Sequence, residues 1–220
     1  MKVLITGGAG FLGLHLAHFL SKKGFVVTLV DINEIDADEY PKNAKFVLAD
    51  VRDGTRMTTL LKGKDVVIHA AAALPLWKRQ EIFDVNIEGT RNVLSASLKN
   101  GVKHVVFISS TAVYGIQGKH PTEEDDPLAG VGPYGESKIQ AEKLCMEKAR
   151  FRQKSCVKNI EERGFLLPSF VQKLLSVRIA WEFLRSSLTG FEMGKESRLS
   201  GKERTGISFL TFQTWLRQYI

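Results

Sequence analysis

Thr6-Gly7-Gly8-Ala9-Gly10-Phe11-Leu12-Gly13 is the stretch that decides the fold. It spaces three glycines, Gly7, Gly10 and Gly13, between a strand-like run and a helix-like run. In such a turn one glycine lets the chain turn tightly, one leaves room for a diphosphate and one packs the helix on the strand. The free N–H groups at the start of the helix then favour a phosphate group. Three glycines alone would also suit a plain tight turn, so the rest of the chain must decide between these interpretations.

The first 150 residues alternate strand and helix signals. Apolar runs predict strands at residues 3–6, 25–30, 45–49, 65–69 and 104–109, and helical spacing predicts helices at 11–21, 55–61, 82–99 and 133–149. Residues 111–132 are rich in Gly, Pro and acidic residues and are predicted as a surface loop. The strands are continuous apolar runs, which is typical of strands covered on both faces. This pattern predicts an α/β fold, a doubly wound parallel-sheet Rossmann domain.

Acidic residues end the second and third predicted strands. Asp31 follows the second strand, where a carboxylate can bind both ribose hydroxyls of an adenosine and repel a 2′-phosphate. No Lys or Arg occurs in residues 32–36, and Asn33 in this stretch is a further candidate contact. We therefore predict NAD, not NADP, as the cofactor. Asp50 and Val51 are candidates to flank the adenine, and a helix cap is the alternative role for Asp50.

A second polar group is predicted at the same sheet. Ser109 and Ser110 end the fifth strand, while Tyr134 and Lys138 are four residues apart on the last helix and share one face. A nearby ammonium lowers the pKa of a tyrosine from about 10, so Tyr134 can serve as acid and base for a hydroxyl/carbonyl pair. Ser110 can bind the same oxygen, and Lys138 can also hold the nicotinamide ribose. A Tyr–Lys pair is common by chance, but its order after the glycine turn and Asp31 indicates hydride transfer to nicotinamide.

Taken together, these segments resemble the extended short-chain dehydrogenase/reductase family, which contains NAD-dependent epimerases and dehydratases of nucleotide sugars. The matching segments are TGGAGFLG, Asp31, Asp50-Val51, His69-Ala70-Ala71-Ala72, Val85-Asn86, Ser109-Ser110-Thr111-Ala112-Val113-Tyr114-Gly115 and Tyr134-Gly135-Glu136-Ser137-Lys138.

The resemblance assigns roles to these residues. It implies that Ser110, Tyr134 and Lys138 are catalytic. It implies a cofactor site formed by Gly7, Gly10, Phe11, Leu12, Gly13, Asp31, Asn33, Asp50, Val51, Ala70, Ala71, Ala72, Asn86, Ser109, Tyr134 and Lys138. Tyr114-Gly115 and the loop at 117–132 would border a sugar, and helices 82–99 and 138–149 would form a homodimer.

Three functions remain open from the sequence. The first is an NAD-dependent epimerase or dehydratase that acts on a nucleotide sugar by hydride transfer at a sugar hydroxyl. The second is a hydroxysteroid- or flavonoid-type reductase of the same family. The third is a catalytically defective protein that still binds NAD.

Residues 151–220 depart from the family pattern, which would continue with a sixth strand, a loop over the nicotinamide and a substrate domain. Back-translated and read two bases later, residues 166–171 can encode VTIIRP and residues 194–200 can encode KRIPVIG. Both resemble the missing part of the family, in the right order. We therefore expect residues 1–150 to be an NAD-binding domain. We expect residues 151–220 to be an irregular segment translated out of frame, with weak packing after about residue 155 and one regular helix at 171–188.

Composition excludes other classes of function. The net charge of +7 suggests nucleic acid, but residues 1–150 hold 19 basic and 18 acidic residues, so the excess belongs to residues 151–220. Cys145 and Cys156 have no metal-binding spacing and are expected as reduced thiols. His15, His18 and His69 are expected to be structural, not metal ligands. The chain has no signal-peptide pattern and no long apolar stretch, so we expect a cytoplasmic protein without a membrane partner.

Overall fold

The computed structural model describes residues 1–116 and 126–161, and for residues 150–161 only the backbone path. The strands are β1 (Lys2–Thr6), β2 (Val26–Asp31), β3 (Lys45–Leu48), β4 (Val66–His69) and β5 (His104–Phe107). The helices are α1 (Phe11–Lys22), α2 (Gly54–Leu60), α3 (Arg79–Phe83), α4 (Thr90–Lys99) and α5 (Gly132–Glu161). The predicted order of elements along residues 1–150 is confirmed, with boundaries that differ by a few residues.

All the strand pairs in the described sheet are parallel, and the strand order is β3-β2-β1-β4-β5. Thr6, the last residue of β1, is paired with Val30 on one side and with His69 on the other. After β1 the chain continues to β2 on one side of β1, and after β3 it crosses to β4 on the other side. This change of direction opens a crevice at the carboxyl ends of β1 and β4. Ligands of doubly wound sheets bind at this switch point.

Both faces of the sheet are covered, as the continuous apolar runs predicted. Leu4 and Val67 pack on one face in a cluster with Met57 of α2, Ile82 of α3 and Val93 of α4. Val3 and Ile5 point to the opposite face because side chains alternate along a strand, and both are buried. Helix α1 packs against β2. The α/β doubly wound fold predicted for this part of the chain is therefore confirmed.

The helix predicted at residues 82–99 begins earlier and is not uniform. Helix α3 leads into a π-helical turn at Asp84–Gly89, and α4 follows without a break. A π-helical turn inserts one extra residue and is frequent at functional sites. Here it contains Asn86, whose side chain is buried although it lies on a helix.

Helix α5 is longer than the predicted 133–149. It starts at Gly132 with Pro133 in its first turn, a position that proline favours. It continues to Glu161, because no Gly or Pro occurs between Gly135 and Gly164 to end it. Its buried residues Ala141, Leu144 and Cys145 pack with Ile87 and Leu94 in a second apolar cluster.

Two short 3₁₀ turns lie in connecting segments. One is Ala37–Glu39, and the other, Thr111–Val113, falls in the stretch predicted as a surface loop. The remaining part of that loop at 117–125 and the predictions for residues 162–220 lie outside the described residues. In the described part of the chain, no helix is both long and apolar enough to span a bilayer.

Candidate active site

The glycine turn is closely packed against β4 and against itself. Gly7 has a positive φ of 73°, and a Cβ placed on it would lie 2.8 Å from the backbone of Ala70 and Ala71. A Cβ on Gly13 would lie 2.4 Å from the carbonyl oxygen of Gly7. Only glycine fits these two positions, for the reasons that the sequence indicated: a tight turn and close packing of the helix.

Gly10 is different, because no contact within the described residues requires a glycine there. It is exposed, it has an ordinary φ of −81°, and a Cβ on it would contact only the Gly7 carbonyl oxygen, at 3.4 Å. The space beside it opens at the N-terminus of α1, where backbone N–H groups favour an anion. Phe11 is also exposed there, and its ring lies 4.1 Å from that of His15. The turn therefore fits a diphosphate of a dinucleotide.

Asp31 lies beside this turn, as predicted. One carboxylate oxygen accepts from the Ala9 N–H at 3.0 Å and the other from the Asn33 N–H at 3.0 Å. The glycine turn and the end of β2 are thus joined through one side chain. This arrangement keeps the Asp31 carboxylate at the edge of the crevice, next to the proposed diphosphate position, where a ribose of the same ligand would follow.

Tyr40 was not predicted, although it supports the same turn. Its buried hydroxyl donates to the carbonyl oxygen of Gly8 at 2.9 Å. Burial, together with the charges of Asp31 and Glu39, raises the pKa of Tyr40 above its usual value, so the hydroxyl keeps its proton. Tyr40 lies in an irregular segment 32 residues from Gly8, and no pattern in the sequence indicates this contact.

Asp50 and Val51 occupy distinct surroundings. Arg52 donates two hydrogen bonds to one Asp50 oxygen, at 2.8 and 2.6 Å. Partial burial alone would raise the pKa of Asp50, but these bonds outweigh it and the pKa is lowered. The alternative role of Asp50 as a helix cap is wrong, because Asp53 caps α2 by accepting from the Arg56 N–H. Val51 packs in the core, so only its backbone can face a ligand.

A buried chain of hydrogen bonds connects the ends of β1 and β4 with the π-helical turn. Thr6 Oγ1 lies 2.7 Å from His69 Nδ1, and His69 Nε2 lies 2.9 Å from Thr90 Oγ1. Thr90 donates to the Asn86 carbonyl oxygen, so its hydroxyl must accept from His69. His69 therefore carries a proton on Nε2, and in the neutral ring Nδ1 accepts from the Thr6 hydroxyl. Burial and the charge of Lys138 lower the pKa of His69 to about 3.

The same chain of bonds positions the alanine segment after β4. The Ala71 N–H donates to Thr6 Oγ1 at 3.2 Å, and the Ala73 N–H donates to Asn86 Oδ1 at 2.8 Å. The segment that carries Ala70, Ala71 and Ala72 is held at both ends. Its residues are half-buried along the crevice, where the resemblance places the cofactor. Asn86 therefore supports this segment through its buried side chain.

Tyr134 and Lys138 share one face of α5, as the four-residue spacing predicted. The Lys138 Nζ atom lies 6.0 Å from the centre of the Tyr134 ring and 4.9 Å from that of the Phe107 ring. It also donates to the carbonyl oxygen of Ile108 at 2.9 Å. Lys138 is only 3% exposed. This burial lowers its pKa to about 8, although the Glu142 carboxylate favours the charged form.

Ser110 lies at the start of the 3₁₀ turn Thr111–Val113. Its Oγ accepts from the Ala112 N–H at 3.2 Å. A Cβ on Gly135 would lie 2.8 Å from the Ala112 carbonyl oxygen, so the residue after Tyr134 packs directly on this turn. The fold therefore brings the segment after β5 next to the first turn of α5. Ser109 donates instead to Glu142, a residue of α5 that was not predicted as part of the site.

The described histidines have the structural roles that were expected. His15 Nδ1 lies 2.8 Å from the Phe11 carbonyl oxygen, and His18 Nε2 lies 2.7 Å from that of Glu39. His69 belongs to the buried chain of bonds. Within residues 1–116 and 126–161 no group of His, Cys, Asp or Glu side chains is arranged to hold a metal ion.

The geometry agrees with the comparison to protein families. The family model described as NAD dependent epimerase/dehydratase family matches residues 3–157. The chain belongs to this family. The predicted resemblance is confirmed, and membership of an NAD-dependent family confirms the cofactor that the glycine turn and Asp31 indicated.

Individual relatives are similar over the same part of the chain. A UDP-N-acetyl-alpha-D-glucosaminuronate decarboxylase of Bacillus cytotoxicus is 39% identical over 159 residues, 66% of this chain and 49% of the relative. A UDP-glucose 4-epimerase of Lactobacillus helveticus is 37% identical over 151 residues, 66% of this chain and 46% of the relative. The chain thus spans about half the length of the curated relatives it matches.

A solved structure shows the same arrangement of elements. UDP-glucose-4-epimerase from Stenotrophomonas maltophila, with bound NAD and formylated UDP-arabinopyranose, is 34% identical and has a TM-score of 0.64. The match covers 69% of this chain and 49% of that one. The similarity supports an enzyme of the epimerase/dehydratase family.

Proposed function

We propose that this protein is an NAD-dependent epimerase/dehydratase-type oxidoreductase that acts on a nucleotide sugar by hydride transfer at a sugar hydroxyl. The observation that carries the proposal is the packing of two strand ends at one crevice. The glycine turn follows β1, and Ser110 follows β5 in the turn on which Gly135, the residue after Tyr134, packs. A dinucleotide laid along this crevice brings its diphosphate to Gly10 and its reactive end toward Tyr134.

The cofactor would be held by backbone groups and one carboxylate. Gly7, Gly10, Phe11, Leu12 and Gly13 lie around the proposed diphosphate, and Asp31 with Asn33 lies where the adenosine ribose would follow. Asp50, the Val51 backbone and residues Ala70, Ala71 and Ala72 border the same crevice, with Ser109 near its far end. NAD, when bound, supplies the carbon that accepts and returns the hydride.

The chain's own residues would then handle the proton. The phenolate of Tyr134 would take the proton from a sugar hydroxyl while the attached carbon is oxidised, and would return it when that carbon is reduced. Ser110 Oγ donates a hydrogen bond to the same sugar oxygen. The ammonium of Lys138, 6.0 Å from the centre of the Tyr134 ring, would offset the negative charge that the phenolate carries before it takes the proton and again after it returns it.

The relatives support a nucleotide sugar more strongly than a steroid or flavonoid. A decarboxylase and epimerases of UDP-sugars are among them, so the substrate class is shared while the reactions differ. These assignments concern the whole relatives, of which this chain spans about half. A hydroxysteroid- or flavonoid-type reductase is the competing proposal.

In the decisive experiment, the purified full chain and NAD are incubated with one UDP-sugar per reaction. The UDP-sugars are UDP-glucose, UDP-N-acetylglucosamine and the uronate of UDP-N-acetylglucosamine. Products are separated by chromatography, and NADH is followed by its absorbance. Conversion of a UDP-sugar that is lost in Tyr134→Phe supports the proposal. Binding of NAD without conversion of any UDP-sugar selects the catalytically defective protein, and reduction of a steroid or flavonoid selects the competing enzyme.

We also propose that residues 151–220 are an out-of-frame remnant of the last strands and substrate domain, after an insertion or deletion near residues 145–160. Two observations support this proposal: the family match ends at residue 157, and the alternative frame encodes family-like segments. Sequencing the coding DNA across codons 140–165 tests it. An intact reading frame that related genes share would refute it, and recovery of turnover after frame correction would support it.

The partners of the protein follow from the same proposal. A nucleotide sugar is the small-molecule partner, and a homodimer through α4 and α5 is expected by resemblance. We propose no nucleic-acid or membrane partner and a cytoplasmic location. Analytical ultracentrifugation of the full chain tests the dimer, and a monomer at every concentration would contradict it.

A further inference from the structure

Glu142 lies outside the predicted set of site residues, yet it accepts a hydrogen bond from one member of that set and lies on the same helix face as another. Its carboxylate accepts a hydrogen bond from the hydroxyl of Ser109, which immediately precedes Ser110. It also follows Lys138 by four residues on α5, so the two side chains lie on the same face of the helix. No metal-binding or capping role accounts for a carboxylate at this position.

We propose that Glu142 is a positioning residue: it holds the strand end that carries Ser110 against the helix that carries Tyr134 and Lys138. This inference rests on the proposed function, because the proposed function is what gives the two paired elements a catalytic purpose. Without the Ser109–Glu142 bond, the segment after β5 keeps the Lys138 bond to the Ile108 carbonyl oxygen and the bond from the Ile108 N–H to the carbonyl oxygen of His69. It also keeps the packing of Gly135 on Ala112.

The charge of Glu142 gives it a second effect on the same site. Lys138 is buried, and the groups facing it are Tyr134, Glu142 and Cys145 on α5, His69 on β4, and the Phe107 ring. His69 is neutral, and burial raises the pKa of Cys145 to about 12, so that thiol is also uncharged. Glu142 is therefore the negative group that favours the ammonium form of Lys138 among these described neighbours.

Three variants of the full chain separate the two effects. Glu142→Gln keeps an oxygen that can accept from Ser109 but removes the charge. Ser109→Ala removes the hydrogen bond but keeps the charge. Glu147→Gln is the matched control, because Glu147 is an exposed carboxylate on the same helix. Glu142→Ala, which removes both effects, is informative only where it remains folded, and the other variants do not depend on it.

The positioning effect is measured by amide hydrogen exchange at Ala112, whose N–H donates to Ser110 Oγ. We expect exchange to be about fivefold faster in Ser109→Ala, the value for one lost hydrogen bond, and unchanged in Glu142→Gln and Glu147→Gln. The charge effect is measured as the pKa of Lys138 by NMR. We expect Glu142→Gln to lower it by about one unit and the other two to leave it unchanged.

Each result supports or refutes the proposal without a turnover assay. Unchanged exchange at Ala112 in Ser109→Ala would overturn the positioning role, and an unchanged Lys138 pKa in Glu142→Gln would overturn the charge effect. If both effects appear but no UDP-sugar is converted, the proposed function fails and the role of Glu142 in the structure stands. If turnover occurs and neither effect appears, only the present proposal fails.

Discussion

The Nζ atom of Lys138 lies 2.9 Å from the carbonyl oxygen of Ile108, so a buried ammonium ties α5 to the chain just beyond β5. Ser110 follows two residues after that carbonyl, and Tyr134 precedes Lys138 by one helical turn. This hydrogen bond is one of the contacts that set the relative position of the two elements that carry the candidate catalytic groups. The burial that makes this possible also lowers the pKa of Lys138 to about 8, which has a measurable consequence.

Lys138→Met should remove a specific dependence of stability on pH. In the unfolded chain a lysine titrates near 10.5, whereas Lys138 in the folded chain titrates near 8. Between these values the unfolded state binds more protons, so the contribution of Lys138 to stability is lowest below pH 8 and rises up to pH 10.5. We expect the free energy of unfolding of the native protein to rise by about 3 kcal/mol relative to Lys138→Met across this window.

The measurement is urea denaturation of both proteins at several pH values, compared as a difference. Cys145 acts in the opposite sense, because its raised pKa lowers stability above the ordinary thiol value of 9, and Lys138 itself moderates that rise. The difference is therefore read below pH 9. A difference between the two proteins that stays flat from pH 8 to 9 would contradict burial of the charge.

His69→Gln should make the protein less sensitive to acid. The unfolded histidine takes up a proton below pH 6.5, but the buried His69 does so only near 3. The unfolded state therefore binds more protons in this window, and His69 costs the native protein about 5 kcal/mol of stability as pH falls through it. Glutamine can accept from Thr6 and donate to Thr90 without titrating. Thermal melts at descending pH should show a shallower loss in His69→Gln, and identical slopes would refute this role.

Gly13→Ala should mainly reduce stability, whereas Gly10→Ala should mainly reduce the affinity for NAD. A Cβ at Gly13 would lie 2.4 Å from a backbone oxygen, so the variant should lose about 3 kcal/mol of stability. A Cβ at Gly10 contacts the protein only at 3.4 Å, so that variant should fold with a loss below about 1 kcal/mol. Its NAD affinity should fall by about tenfold or more, because the methyl group occupies the diphosphate position.

Chemical denaturation and calorimetric titration with NAD distinguish these outcomes. Wild-type NAD affinity in Gly10→Ala would show that the diphosphate lies elsewhere. A stable, folded Gly13→Ala would instead show that the turn can relax, and the packing argument would fail.

Asp31→Asn should weaken NAD binding and reduce the preference of the protein for NAD over NADP. The amide oxygen can still accept one backbone N–H, but the variant loses the charge that binds ribose hydroxyls and repels a 2′-phosphate. We expect an approximately tenfold loss of NAD affinity, the difference between a charged and a neutral hydrogen bond. Glu34→Gln, an exposed carboxylate three residues away, is the control. Equal discrimination between NAD and NADP in Asp31→Asn and the native protein would exclude Asp31 from the site.

Much of this site was predictable from the sequence because its signals are local. The glycine spacing, the acid at the end of β2 and the Tyr134–Lys138 pair each follow from backbone geometry over a few residues. Asn86 and Thr90 also carry a usable signal, since they are polar residues on the buried side of a helix. Helix α5 could have been extended from the absence of Gly and Pro after Gly135.

The remaining features depend on contacts between distant parts of the chain. Tyr40 supports Gly8 across 32 residues, and Ser109 meets Glu142 across 33. The contact between Arg52 and Asp50 is local, but whether it forms depends on where the chain places the two side chains after β3. None of these pairs has a spacing that distinguishes it from chance.

The sequence by itself determined the order of strands and helices, the glycine turn, the acid at the end of β2 and the candidate catalytic residues, since these arise from short-range backbone and side-chain preferences. Only the tertiary structure decided which groups are buried together. It made His69 a neutral link between β1, β4 and the π-helical turn, it placed Lys138 against Ile108, and it brought Glu142 to Ser109. Burial and long-range hydrogen bonds set charge states and positions, and both depend on which segments pack against each other in three dimensions.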